Sequence, residues 1–195
     1  MNKKDNQRTR LTKMLLKNSL IKLLYKKPIY QISVSELCST AELNRSTFYK
    51  YYGNVQDLMK EIEDETLCRS LKCMQQMGAA GAYNSEQFLY RLLLDIQENK
   101  EVYWLLTNSS NDHNFTKKAV KSIVDLFKEL MNAAGLESEM SDYVFSYIAS
   151  GCFSIIRNWI CGPMTETPAE ISKLIYSISV SVLEHMDILP EKKQI

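Results

Sequence analysis

Ser33-Val34-Ser35-Glu36-Leu37-Cys38-Ser39-Thr40-Ala41-Glu42-Leu43-Asn44-Arg45-Ser46-Thr47-Phe48-Tyr49-Lys50-Tyr51-Tyr52 reads as two short helices with a break between them. Ser33 and Glu36 stand three apart, the spacing of a capping box in which the serine hydroxyl and the glutamate each satisfy a free backbone N–H. Val34, Leu37, Cys38 and Ala41 follow at i, i+3, i+4 and i+7, so one short helix buries them together. Glu42-Leu43-Asn44 interrupts the pattern, and Asn44 is placed to cap the next helix. That helix turns Phe48, Tyr51 and Tyr52 inward. It leaves Arg45, Ser46, Thr47, Tyr49 and Lys50 facing outward.

The flanking sequence supplies support. Upstream, Leu16, Ser19, Leu20, Leu23 and Leu24 keep helical spacing within a helix expected over 7–26, which Pro28 ends by disfavouring helical geometry at Lys27. Downstream, Gly53 provides a stop, and Asn54 with Asp57 caps a further helix. A long helix followed by two short ones is a helix-turn-helix unit. In such a unit the second short helix enters the DNA major groove by its N-terminal residues. Arg45 suits a bidentate contact to guanine, Thr47 a phosphate or a thymine methyl, and Tyr49 and Lys50 the backbone.

Charge agrees with that placement. The net charge of +1 over 195 residues hides two opposed regions. Residues 1–60 hold twelve Lys and Arg against four Asp and Glu, whereas 61–195 hold twelve against nineteen, giving +8 and −7. A basic first third seeks a polyanion. With 45% hydrophobic residues, 6 Gly and 4 Pro, the chain is globular and helical in character, which excludes disorder and a many-turned β sandwich. Five cysteines without a Cys-x-x-Cys pair read as small apolar residues in a reducing compartment. The first ten residues lack an apolar core, so no signal peptide is expected. Polar residues from Ser146 to Asn158 break up the longest apolar stretch, so no membrane contact and a cytoplasmic location are expected.

The remainder is all-α by pattern, with helices expected near 54–77, 85–99, 101–108, 115–134, 141–161 and 168–186. Loops are expected at Gly78–Gly81 and Asn108–Asp112. Residues 1–53 would form the helix-turn-helix domain and 54–195 a regulatory and dimerisation domain. His113 and His185 stand apart from other metal-ligating residues, so no metal or other cofactor is expected. No phosphate-binding loop, dinucleotide fingerprint or nucleophile-base pair points to an enzyme. An apolar cavity, if built, would draw on Tyr103, Trp104, Phe127, Met131 and Tyr147, though ordinary core packing explains such residues better.

Ile32–Leu37 followed by Ala41–Tyr52 resembles the DNA-binding segment of TetR/AcrR-type transcriptional regulators over residues 8–60, and Tyr143–Pro163 is similar to the C-terminal region of a Gram-positive subgroup. The resemblance implies a homodimer that binds a palindromic operator in double-stranded DNA and usually acts as a repressor released by a small-molecule inducer. It also implies phosphate contacts from Thr47 and Tyr49, with Arg45, Ser46 and Lys50 at the sequence-reading positions. Ser33 and Arg10 complete the expected DNA-contacting set. Two residues depart from the pattern: Glu42 replaces a turn glycine, and Val55 replaces a phosphate-binding lysine, so that one anchoring contact is either missing or supplied elsewhere, for example by Lys3, Lys4, Arg8 or Arg10. The last two long helices are expected to pair two copies through Tyr147, Phe153, Ile156, Ile175, Ile178 and Val182. Two reading helices would then stand roughly 34–36 Å apart, or a multiple of that. A coactivator acting through a protein partner, or a chromosome-associated factor, is the alternative role for this fold.

Overall fold

Leu16, Ser19, Leu20 and Leu23 are buried along one side of the first helix, as their spacing requires. In the computed structural model, which describes residues 3–78, 85–108, 113–133 and 141–186, every regular element is helical. The order is α1 (Lys3–Leu24), a 3-10 turn (Ile29–Gln31), α2 (Val34–Thr40), α3 (Arg45–Tyr49), α4 (Val55–Gly78), α5 (Ser85–Glu98), α6 (Lys100–Asn108), α7 (His113–Ala133), α8 (Ser141–Cys161) and α9 (Pro168–His185). The expected loops at 78–81 and 108–112 fall largely outside the described residues.

Two compact units form, residues 1–66 and 67–195. The division falls later than the 53/54 position read from the sequence because the first turns of α4 complete the core of the head. Val55, Leu58 and Ile62 are buried there with Leu37, Cys38, Ala41, Phe48 and Tyr52. An ionic seam adds to this: Glu61 accepts from Lys13 at 2.8 Å and pairs with Lys17 at 2.7 Å, while Lys17 also reaches Glu65 at 2.6 Å. Partial burial alone would raise the Glu61 pKa, but the two lysines outweigh it and hold the carboxyl down at about 2.

The capping signals are realised unevenly. Ser33 accepts from the Glu36 N–H at 3.2 Å, but Glu36 does not complete the box because its carboxylate takes the Lys27 ammonium at 2.6 Å. Asn44 occupies the N-cap of α3 without a side-chain hydrogen bond. Asn54 caps as expected, its Oδ1 accepting from the Asp57 N–H at 2.9 Å, and Asp57 returns a bond to Gly53 N at 3.0 Å. Glu42 sits at φ 54 because α2 closes with crossed bonds, Leu43 N–H to Cys38 O at 2.9 Å and Glu42 N–H to Ser39 O at 3.3 Å. That closure needs a left-handed residue, usually glycine.

In the second unit α5 packs along α9 and α7 along α8, with α6 against α7 and α8. The main core joins Leu92, Leu93, Ile96, Tyr103, Trp159, Ile160, Ile171 and Ile175. A second cluster joins Val144, Phe145 and Ile148 to Val124, Val182 and Leu183. The Ser177–Val182 stretch alternates like a strand, yet it lies within α9. Helical spacing wins there because Ile171 and Ile175, one turn apart, are both anchored in the core. Thr167 and Glu170 form the reciprocal capping box that Ser33 lacks, with Pro168 at the start of the helix. Residues 142–161 are long and apolar enough to cross a membrane, with mean hydropathy 1.2, but this segment is the packed helix α8 of the second unit.

Replacing Glu42 with glycine removes the strain of a side chain in the left-handed region. The E42G protein should gain about 1 kcal/mol of stability, read as a higher urea midpoint with an unchanged slope. Because the Glu61 pKa is depressed on folding, its contribution is present above pH 4.5 and fades as pH falls toward about 2. E61Q should lower stability at pH 7 by about 1 kcal/mol and lack that part of the acid-dependent loss, measured by thermal melts across the range.

Candidate nucleic-acid interface

Phe48 is fully buried, and its fixed position decides which side of α3 meets solvent. Its ring contacts Tyr52 at 5.6 Å in a tilted arrangement and meets Tyr49 edge-on at 5.5 Å. Tyr49 is nevertheless 58% exposed. Arg45, Ser46 and Lys50 are exposed beside it, and Thr47 is half-buried. The five residues expected to meet DNA from this helix therefore share one region of the head. Tyr51 is only half-buried and lies against the Lys50 ammonium, 5.8 Å from ring centre, with its hydroxyl 3.4 Å from Thr9 Oγ1. Tyr52 is buried beneath Lys13, whose ammonium lies 5.3 Å from the ring centre, and burial pushes its phenol well above the ordinary range.

Ser33 and Arg10 are both exposed. The Ser33 oxygen already accepts a backbone N–H as an N-cap, leaving its own proton to donate. Val55 is 4% exposed, so the position that would hold a phosphate-binding lysine instead fills the apolar core of the head. A contact that sequence reasoning missed joins the two short helices: an Arg45 Nη donates to Ser35 Oγ. Only the fold brings residues ten apart in sequence to this distance, so periodicity carried no signal for it.

The second unit assigns its aromatic residues differently from the sequence reading. Tyr103 is buried with its polar end engaged, donating to Asp95 Oδ2 at 2.8 Å and sharing a hydrogen bond with Ser70 Oγ at 2.9 Å. Arg69 Nε donates to the same Asp95 oxygen at 3.1 Å. Burial pushes the Tyr103 phenol up to about 12, with the Asp95 carboxylate adding to the shift and Ser70 and Arg69 opposing it. This tyrosine ties α4, α5 and α6 together. Trp104 is half-buried against the main core and Tyr147 is 67% exposed. The side chains of Phe127 and Met131 lie outside the described residues.

A groove of about 450 Å³ opens between α7 and α8, lined by Thr116, Lys117, Val120, Lys121, Val124 and Ser146 with Ser150. Lys117 and Lys121 one turn apart in the sequence were its available signal. Among the described residues, no cluster of His, Cys, Asp or Glu is suited to a metal ion.

Of the residues expected to pair two copies, Tyr147 and Ile178 are well exposed, while Phe153, Ile156 and Val182 are half-buried. Ile175 is 1% exposed inside the core of its own protomer, which accounts for it without a partner. Tyr143 and Leu174, one turn before Tyr147 and Ile178, are exposed as well. Gly151 has no atom within 4 Å of where a Cβ would stand, so packing within the protomer does not require a glycine there.

A basic head that offers a polar helix face beyond a helix-turn-helix, joined to a larger helical unit, defines a DNA-binding transcriptional regulator. Residues 83–180 match the TetR-type transcriptional regulator C-terminal region, and the chain belongs to the TetR family of transcriptional regulators. It is 20% identical over 167 residues to YxbF, an uncharacterized HTH-type transcriptional regulator of Bacillus subtilis. That alignment covers 84% of this chain and 43% of the relative, so the chain spans less than half the relative's length. A TetR transcriptional regulator from Streptococcus agalactiae superposes with a TM-score of 0.66 at 18% identity, covering 90% of this chain and 97% of that one. FadR from Bacillus subtilis, solved in complex with stearoyl-CoA, superposes with a TM-score of 0.65 at 11% identity, covering 87% and 98%. At these identities the two structures establish a shared fold.

Proposed function

We propose that the protein is a homodimeric, non-enzymatic, cytoplasmic repressor that holds a palindromic operator through residues 1–66 and lets go when a small molecule binds its second unit. The observation that carries this reading is the α3 surface, where Arg45, Ser46, Tyr49 and Lys50 are exposed over a buried Phe48 within the first 60 residues, whose net charge is +8. Arg45 reads a base edge, Tyr49, Thr47 and Ser33 donate to phosphates, and Lys50 and Arg10 add charge.

Pairing of two copies is supported by the exposed apolar pairs Tyr143–Tyr147 on α8 and Leu174–Ile178 on α9, and by the open space at Gly151. An exposed apolar surface of this kind is costly for a monomer and suits an isologous contact. For the ligand, the α7–α8 groove combines the apolar Val120 and Val124 with the exposed ammonium groups of Lys117 and Lys121. Those features favour a molecule with an apolar body and an anionic head. Binding that distinguishes two positions of α4 would change how well both reading helices fit one duplex.

The deciding experiment is retention of duplexes from upstream of the protein's own gene, measured against salt. Affinity should fall steeply as salt rises, and K50A should lower the logarithmic slope by about 1 on every sequence. R45A should instead cost about 1–3 kcal/mol at one base pair of each half-site and relax preference there. Binding indifferent to salt and sequence would refute the assignment. Deleting the gene should raise its target transcripts, and a fall would make the protein an activator. For the dimer, G151F should yield monomers by light scattering while the helical circular dichroism stays that of the unaltered protein; an intact dimer would place the interface elsewhere.

A further inference from the structure

The contact between Arg45 and Ser35 goes beyond the set of groups that meet DNA. Arg45 is the first residue of α3 and Ser35 lies in the first turn of α2; both are exposed, and an Arg45 Nη donates to the Ser35 hydroxyl oxygen. The guanidinium also lies close enough to α2 for its charge to favour the Cys38 thiolate, although burial dominates and raises that thiol's pKa. Arg45 is therefore folded toward α2 and does not swing freely from α3.

We infer that Ser35 is a positioning residue that holds the Arg45 guanidinium in the orientation used to read a base pair, an inference that rests on the DNA-binding reading above. A guanidinium carries five N–H donors in a rigid plane, so one bond to Ser35 narrows the orientations open to that plane and leaves donors for the two acceptors of a guanine edge. An arginine without such a tether samples many rotamers, most of which present a positive charge to any phosphate nearby. The hydroxyl thus favours the sequence-selective contact over the unselective one. Preorganisation of this kind acts on discrimination more than on overall affinity.

The test is selection of bound duplexes from a randomised library by the full-length protein, with S35A, S35T, R45A and the double variant compared by sequencing. S35A should lose about three- to tenfold of discrimination at the same base positions that R45A loses, with other positions unchanged. S35T, which keeps the oxygen, should restore the original profile. S35A added to R45A should change nothing further, because the serine acts through the arginine. An S35A profile identical to that of the unaltered protein, or an equal loss on all sequences, would overturn the inference, the latter making Ser35 a phosphate contact. If the unaltered protein enriches no sequence, the DNA-reading assignment itself fails, a result separable from failure of the serine's role alone.

Discussion

Burial of one phenylalanine governs the geometry of the head. Phe48 has no solvent exposure, and removing such a side chain from water contributes about 1.5–3 kcal/mol. For a five-residue helix that contribution matters more than intrinsic propensity, since a segment this short does not hold helical geometry by itself. The ring therefore does two things at once. It keeps α3 folded against α2, and it turns Arg45, Ser46, Tyr49 and Lys50 away from the core. Their outward position follows from packing and needs no ligand to induce it.

Much of this was legible from residue spacing. Leu37 and Cys38 on α2, Ala41 at its C-cap, and Leu16, Leu20 and Leu23 on α1 are buried where helical periodicity puts them. The Thr167-Pro168-Ala169-Glu170 start of α9 was equally plain, and the structure completes both of its capping bonds. What stayed hidden depends on partners distant in the chain. Glu36 forms only half of a capping box because Lys27, nine residues earlier, takes its carboxylate. Tyr103 is as apolar in pattern as a cavity residue, but Asp95 and Ser70 claim its hydroxyl. Ile175 and Ile178 look alike in sequence, yet one lies in the protomer core and the other is 45% exposed. Periodicity assigns a residue to a helix face without saying what lies against that face.

Electrostatics divides along the same lines. The basic excess of the first 60 residues is not all available for nucleic acid, because Lys13 and Lys17 are spent on Glu61 and Glu65, and Lys27 on Glu36. These ties fasten α1 to α4 and α2 to the segment before it. Arg10 and Lys50 stay exposed and carry the phosphate contacts in the proposed complex.

Val55 has a consequence for time scale. In the proposed operator complex, the apolar side chain packed inward at the start of α4 would shift the grip onto long, solvated side chains such as Arg8 and Arg10. Those side chains lose rotamer freedom on contact and release one at a time. Encounter with DNA is set by the overall field of the head, which this exchange of residue leaves strong. On that reading the lifetime of the complex is what the exchange would shorten, and a short-lived complex would let occupancy follow a changing inducer level quickly.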